Sequence, residues 1–382
     1  MNRRGSESLV SKHNEALKVL PVLFNQNGYR VTVCNPPYAN YQWIPDLSIY
    51  DDYPEINAYI PDDDFSNTTN SASSVENNYR NFFCFSVMKT MPLAFQSTIY
   101  DSGRYNQSIF FSEEDAYWTQ TIENPSQAYG LNPLFMKPYS ILLSLPYMTH
   151  ITEADTGTFL FLANDAAHES MLLQLPDYTP SVTVDNREYD AANSDRFTLN
   201  GRTLAVDNEL QMRHYHGNMA VILQLGNWFD YLREKGVYDN TRIIMVSDHG
   251  YNLEQLSELM LDNGATKEKD VESFFPLLMV KDFNSEGFMV SDEFMTNADV
   301  PTLATAGLIE NPINPFTGKP INSDEKTAHD QFIITASDWD LQENNGNTFL
   351  PGTWARVKNN LWDKNNWTFY DEATVLTEHA AP

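Results

Sequence analysis

Cysteine is scarce in this sequence: Cys34 and Cys84 are the two among 382 residues. One pair allows a single disulfide and excludes both a disulfide-stapled scaffold and a cysteine-based zinc framework. Each sits among apolar neighbours, "VTVC" and "FFCF", where a thiol serves as a small buried hydrophobe. Positive charge is also short. Lys and Arg total 24 against 52 Asp and Glu, a formal net charge of −28 at pH 7. Apart from Arg3 and Arg4 the basic residues are scattered, so the chain repels nucleic acid and anionic membrane surfaces, and no nucleic-acid partner is expected. Long hydrophobic runs are missing as well. "ILLSLPYM" and "FFPLLMV" fall well short of the roughly 20 residues a bilayer requires, and the amino terminus has no apolar signal-peptide core. As given, the sequence reads as soluble.

What is present is ample material for a core. Hydrophobic residues make up 42% and aromatics 13%, enough for one large α/β domain or two ordinary ones. "EALKVLPVLFNQNGYRVTVCNPP" predicts a helix with Leu17, Leu20, Leu23 and Phe24 apolar, a stop at Asn27-Gly28, and a strand from Arg30 to Cys34. Residues 44–80 are rich in Asp, Asn, Ser and Pro and are expected to be a surface excursion. "NNYRNFFCFSVMKTMPL" fits either a strand or a buried helix. "GTFLFLAND", residues 157–165, predicts a strand buried on both faces that ends close to His168.

Residues 212–235 carry Tyr215, Met219, Ile222, Gly226, Phe229 and Leu232 at helical spacing and end at Lys235-Gly236. His214 and His216 open that helix; at least one is expected to be exposed, and neither is taken as a site residue. The turn "YDNT" leads into the apolar run "RIIMVS", which stops abruptly at Asp248, His249 and Gly250. Helix, short loop and buried strand in that order are the signature of parallel βαβ winding. "FFPLLMVKDF" supplies a further strand and "ADVPTLATAGL" a further helix. Four tryptophans between 339 and 367 mark a small strand-and-loop region, residues 326–382, after a main domain of residues 1–325.

In a doubly wound sheet, ligands lie in the crevice beyond the carboxyl ends of the strands. Asp248 and His249 stand at one such end, and His168, with Asn164 and Asp165, at another. A carboxylate beside an imidazole suits zinc or manganese, and Gly250 lets the backbone turn away from an ion. An Asp-His-Gly strand end is equally a plain turn, and two ligands are few for a tight site.

The stretch from His214 to Gly250, with its helix, "YDNT" turn and "SDHG" strand end, resembles the alkaline-phosphatase superfamily in its sulfatase and lipoteichoic-acid-synthase branch. "ADVPTLATAGLIENPINPFTGKPI", "FLFLANDAAHESMLLQLPDYTP" and "VLPVLFNQNGYRV" are similar to further segments of that family, so the resemblance covers roughly residues 15–45 and 155–325. It implies an α/β fold with a doubly wound, mostly parallel sheet sandwiched by helices. It also implies Asp248 and His249 as ligands of a divalent metal ion (manganese, magnesium, calcium or zinc), His168 as a catalytic group facing the substrate headgroup, and Trp43 as a substrate-binding residue. A hydrogen-bonded loop histidine and a core aromatic are the alternatives for the last two.

The family's nucleophile and first acidic ligand lie upstream of the helix that begins near Val19. Ser6, Ser8 and Ser11 follow no apolar strand, so none is assigned that role. Where the synthases place an arginine after the tryptophan, this sequence has Ile44 and Pro45, and a bidentate phosphate fork is lost. The expectation is therefore a sulfatase-like, metal-dependent phospho- or sulfo-ester hydrolase or transferase domain, acting on lipid- or glycan-linked esters of the cell envelope. Its nucleophile is expected upstream, in an extracytoplasmic parent that meets the membrane only through its amino-terminal region. This chain alone should show weak metal affinity and negligible turnover. The alternative is a non-catalytic cell-surface binding module on the same fold, recognising an envelope glycan through its tryptophan-rich tail.

Overall fold

The computed structural model of the protein describes residues 7–61, 82–100, 120–261, 269–324, 326, 329–336 and 351–370. Helix α1 (Leu9–Gln26) begins where the Ser8 hydroxyl accepts the Ser11 N–H at 3.1 Å, and ends where the Asn27 side chain donates to the Leu23 carbonyl at 2.8 Å. Gly28 then takes φ +82°, a left-handed step open to a residue without Cβ, and turns the chain into strand β1 (Arg30–Cys34). Helix and strand fall where the sequence places them.

β1 is the middle of a parallel sheet, flanked by β2 (Ile56–Tyr59) and β3 (Thr158–Leu162), with Val33 opposite both Ala58 and Phe161. α1 covers one face: Phe24 stacks on Phe159 with ring centroids 4.4 Å apart, and Val22, Leu23, Val31 and Val33 join the same core. Two expectations need correction. Residues 44–61 are more than a surface excursion, because Ile49 and Tyr50 are buried and β2 hydrogen-bonds to β1; residues 62–80 lie outside the described residues. And β3 is not buried on both faces, since Leu160 is 43% exposed.

α2 (Pro133–Met148) is capped by the Asn132 side chain, and α3 (Glu209–Glu234) by Asn208, whose side chain accepts the Gln211 N–H at 3.1 Å. α3 ends at Lys235, and Gly236 follows at φ +71°. In its first half the inward face of α3 runs Met212, His216, Ala220, while Ile222 of the predicted stripe is partly exposed. α3 leads to strand β4 (Ile243–Val246), which pairs antiparallel with β5 (Leu278–Lys281), Met245 opposite Met279. Among the described residues parallel pairing is thus confined to three strands, and the architecture is mixed α/β with several antiparallel ladders. Ile244 nonetheless packs into the core shared by α1 and β1.

Helix α4 (Val300–Thr305) follows a capping box in which the Asp299 carboxylate accepts the Thr296 N–H at 2.7 Å. Of the ambiguous stretch at 77–93, residues 82–90 form a helix on which Phe82 and Phe83 are exposed, so it is not a buried helix there. The two thiols are free. Burial of Cys34 pushes its pKa up to about 11, the state of an inert thiol. Among the described residues no helix is long and apolar enough to cross a membrane.

The carboxyl-terminal region forms an antiparallel sheet of β6 (Gln331–Ala336), β7 (Pro351–Val357) and β8 (Trp367–Tyr370). It shares its core with Leu256, Leu259, Leu261, Val271, Phe274 and Phe275. Trp367, 8% exposed, lies between Phe274 and Phe275, and Trp362 contacts Phe275 from one side and the Arg202 guanidinium from another. Trp339 lies outside the described residues. Trp367→Ala is expected to lower stability by about 3–5 kcal/mol in urea unfolding. Hydrogen exchange should then speed up at Leu259–Leu261 as well as in the tail, because both share that ring stack.

Candidate active site

β1 delivers its chain into a loop with four non-glycine residues in the left-handed region: Asn35 (φ 55°), Tyr38 (52°), Asn40 (56°) and Tyr41 (59°). Side chains over-determine this loop. Asn40 is held by Asn14 at 2.6 Å and by Asp46 at 2.8 Å, and a His13 ring nitrogen lies 3.0 Å from the Pro37 carbonyl. Asn35 ties the strand ends together: its N–H donates to the carbonyl of Tyr59, the last residue of β2, at 2.9 Å, and its side chain to the Ala163 carbonyl just beyond β3 at 3.4 Å.

Tyr38 feels two further strand ends. Its phenol pKa is raised, first by burial and then by the negative charges of Asp165 and Asp248. Those carboxylates follow β3 and β4, strands of two separate ladders, so charge from both bears on the loop that leaves β1. Trp43 packs edge-on to Tyr38 at 6.0 Å and is 76% exposed, which rules out a core role for it.

The side chains of Asp248 and His249 lie together: His249 Nε2 is 3.6 Å from Asp248 Oδ2, and both are largely exposed. His249 Nδ1 lies 2.5 Å from the Gly250 carbonyl oxygen, and Asn297 anchors the turn by donating to the carbonyls of Ser247 and Asp248 at 3.0 and 2.9 Å. A carboxylate and an imidazole so placed fit the donor chemistry of a divalent ion. Among the described residues no cluster of three or more His, Cys, Asp or Glu completes such a site. Two donors are fewer than a tightly held ion takes.

His168 stands on a tight turn, its N–H bonded to the Asp165 carbonyl at 3.0 Å and its Nδ1 3.4 Å from Glu169. The loop beneath it is pinned at many points. Asn164 bonds the Pro138 carbonyl, Asn132 the Glu169 carbonyl, and Gln120 both backbone groups of Leu172. Asn186 bonds Leu173 and Leu175, while His216 meets the backbone of Leu173 at 3.1 Å. Both histidines at the start of α3 are buried, contrary to the expectation of an exposed one. His216 belongs to the core. His214 belongs to the crevice: its ring lies 4.6 Å from that of Tyr251, and its pKa falls to about 4 through burial, then Arg213, then His168. The pattern of α3 could not reveal this, because its inward face is set by the 164–175 loop rather than by the apolar stripe.

Gly250 is required for a reason other than a turn away from an ion. A Cβ there would run into the carbonyl oxygen of Glu272 and lie 2.9 Å from that of Phe275, while the Gly250 N–H bonds the Ser273 carbonyl at 3.0 Å. Two acids hold the chain that follows. Asp270 accepts the N–H groups of Glu254 and Glu272 at 2.9 Å, and the Glu272 carboxylate accepts that of Leu256 at 2.5 Å. Burial first, and then Asp270, pushes the Glu272 pKa up to about 7. No protein-family model matches the chain, and no curated protein matches it in sequence.

Gly250→Ala is expected to destabilise by about 1–3 kcal/mol in denaturant unfolding, since backbone must yield rather than a flexible side chain. Glu272 makes a separate prediction. Its folded pKa lies above its ordinary 4.5, so the folded chain keeps the proton longer. The associated stability is fully present below the unfolded pKa and is lost as pH rises through about 7. Glu272→Gln should flatten melting temperature against pH across that window.

Proposed function

We propose that this chain is a sulfatase-like domain of the alkaline-phosphatase superfamily that cleaves or transfers phosphate or sulfate esters, lipid- or glycan-linked, in an extracytoplasmic cell envelope. One observation supports the reading: the charges of Asp165 and Asp248, which follow β3 and β4, bear on Tyr38 after β1, while the His214 ring lies 4.6 Å from that of Tyr251, just beyond the Asp248-His249-Gly250 turn. In that reading β1, β3 and β4 belong to one doubly wound sheet, and the crevice beyond their ends takes the ester.

Asp248 and His249 would hold a divalent metal ion, which when bound neutralises charge on the attacked ester and lowers the pKa of a nucleophile. His168, exposed on its rigid turn, is placed to hold a proton at the leaving-group oxygen. Trp43 and Tyr38 offer an aromatic wall to the apolar part of a substrate. The nucleophile is not assigned to a residue of this chain. The alternative, a glycan-binding module built on the tryptophan-rich tail, draws less support, because Trp362 and Trp367 spend their ring faces on Phe274, Phe275 and Arg202.

Manganese titrated into the chain is expected to broaden the imidazole signals of His249 before those of His13, whose ring nitrogen meets the Pro37 carbonyl. Asp248→Asn should weaken binding about tenfold or more, roughly 1.4 kcal/mol. Manganese binding that ignores Asp248→Asn would remove the metal from this crevice and the reading with it.

A further inference from the structure

The geometry points to Arg213 as the oxyanion-binding residue of this crevice, its guanidinium and His168 together gripping the phosphate or sulfate group of the ester. The inference rests on the ester reading above and deepens it. In a chain of net charge −28, with Asp165 and Asp248 already facing the crevice, an anionic group is not held without a local cation. The loop after Trp43 supplies none, because Ile44 and Pro45 follow it and Ile44 is exposed.

Arg213 lies one helical turn before Gly217 on α3. Gly217 approaches the His168-bearing loop so closely that a Cβ on it would sit 2.9 Å from the Ser170 Cβ and 3.9 Å from the Ala166 carbonyl oxygen. Residues four apart share a helix face, and helical side chains lean toward the amino terminus, so Arg213 projects along the same loop. Its neighbour His214 is within electrostatic reach of both Arg213 and His168 and stacks on Tyr251, just beyond the Asp248-His249-Gly250 turn. Arg213 is thereby set on the face of α3 that meets the His168-bearing loop, next to the histidine that stacks on Tyr251.

Its bonding differs from that of five other arginines, while Arg30 bonds the Thr152 hydroxyl and Arg202 lies over the Trp362 ring. Arg187, Arg196, Arg233, Arg242 and Arg356 each pair with an aspartate. Arg213, half-buried, has no carboxylate partner among the described residues, and its Nε is buried with no acceptor. A buried donor left unbonded is a liability unless a ligand satisfies it. The planar fork matches a tetrahedral oxyanion two oxygens at a time, which lysine's single ammonium cannot do.

The test titrates inorganic phosphate and, separately, inorganic sulfate into the full chain by calorimetry, following the His168 imidazole by NMR. Arg213→Met is expected to weaken the tighter of the two anions about tenfold or more, Arg213→Lys to lose part of that, and Arg187→Met, an equal change of charge on the surface, to stay within about twofold. Melting temperature adds a readout that a structural role would move the other way: Arg213→Met should not lower it, since the unbonded donor is gone. If Arg213→Met unfolds, Arg213→Lys decides. Undiminished binding by the Arg213 variants, or an equal loss in Arg187→Met, overturns the assignment and leaves the ester reading standing. Failure of the unaltered chain to bind either anion overturns both.

Discussion

Parallel pairing of β1 with both of its neighbours is the constraint from which the rest follows. Strands that run the same way deliver their carboxyl ends, and the loops that leave them, to one edge of the sheet. Asn35 makes that edge continuous by bonding across to the last residue of β2 and to the chain just beyond β3. β4 is hydrogen-bonded to a different ladder, yet Ile244 packs into the core beneath β1 and Asp248 bears on Tyr38, so the same edge gathers its turn as well. Shared burial over α1 does this without a shared hydrogen-bond ladder.

Precision at that edge comes from buried polar contacts. The segment from Asn164 to Leu175 has almost no regular structure, and its position is set by Asn132, Gln120, Asn186 and His216, which bond its backbone, and by Gly217, which lets α3 come close. Backbone groups in such a loop must find partners or remain costly. The same bonds that satisfy them fix the direction of His168. On the opposite side, Asp270 and Glu272 hold residues 254–256 by their N–H groups, and Gly250 wedges beneath the backbone of 272–275. Two rigid supports thus flank the strand ends, where Asp248, His249 and His168 are open to solvent and His214 is buried.

That openness frames the chemistry. Asp248, His249, His168 and Trp43 are all exposed, so their charges act through water until a ligand excludes it. Left-handed backbone at Asn35, Tyr38, Asn40 and Tyr41, all in the loop that leaves β1 at this edge, is a strain that a fold built only for stability would shed.

Local chemistry was enough to read α1, β1, α3 and the strand that stops at Asp248, because caps, glycine exits and apolar periodicity lie within a few residues of what they decide. It was also enough to mark Asp248, His249 and His168 beside strand ends, whereas Trp43 was nominated by the family resemblance alone. It could not foresee that β4 would pair antiparallel with β5, that β2 would arise inside a polar stretch, or that Trp367 would be packed against Phe274. Nor could it tell His214 from His216, or single out Arg213, since helical spacing fixes which residues share a face but not which neighbour that face will meet. Those outcomes depend on contacts between segments dozens of residues apart, and only packing in three dimensions selects them.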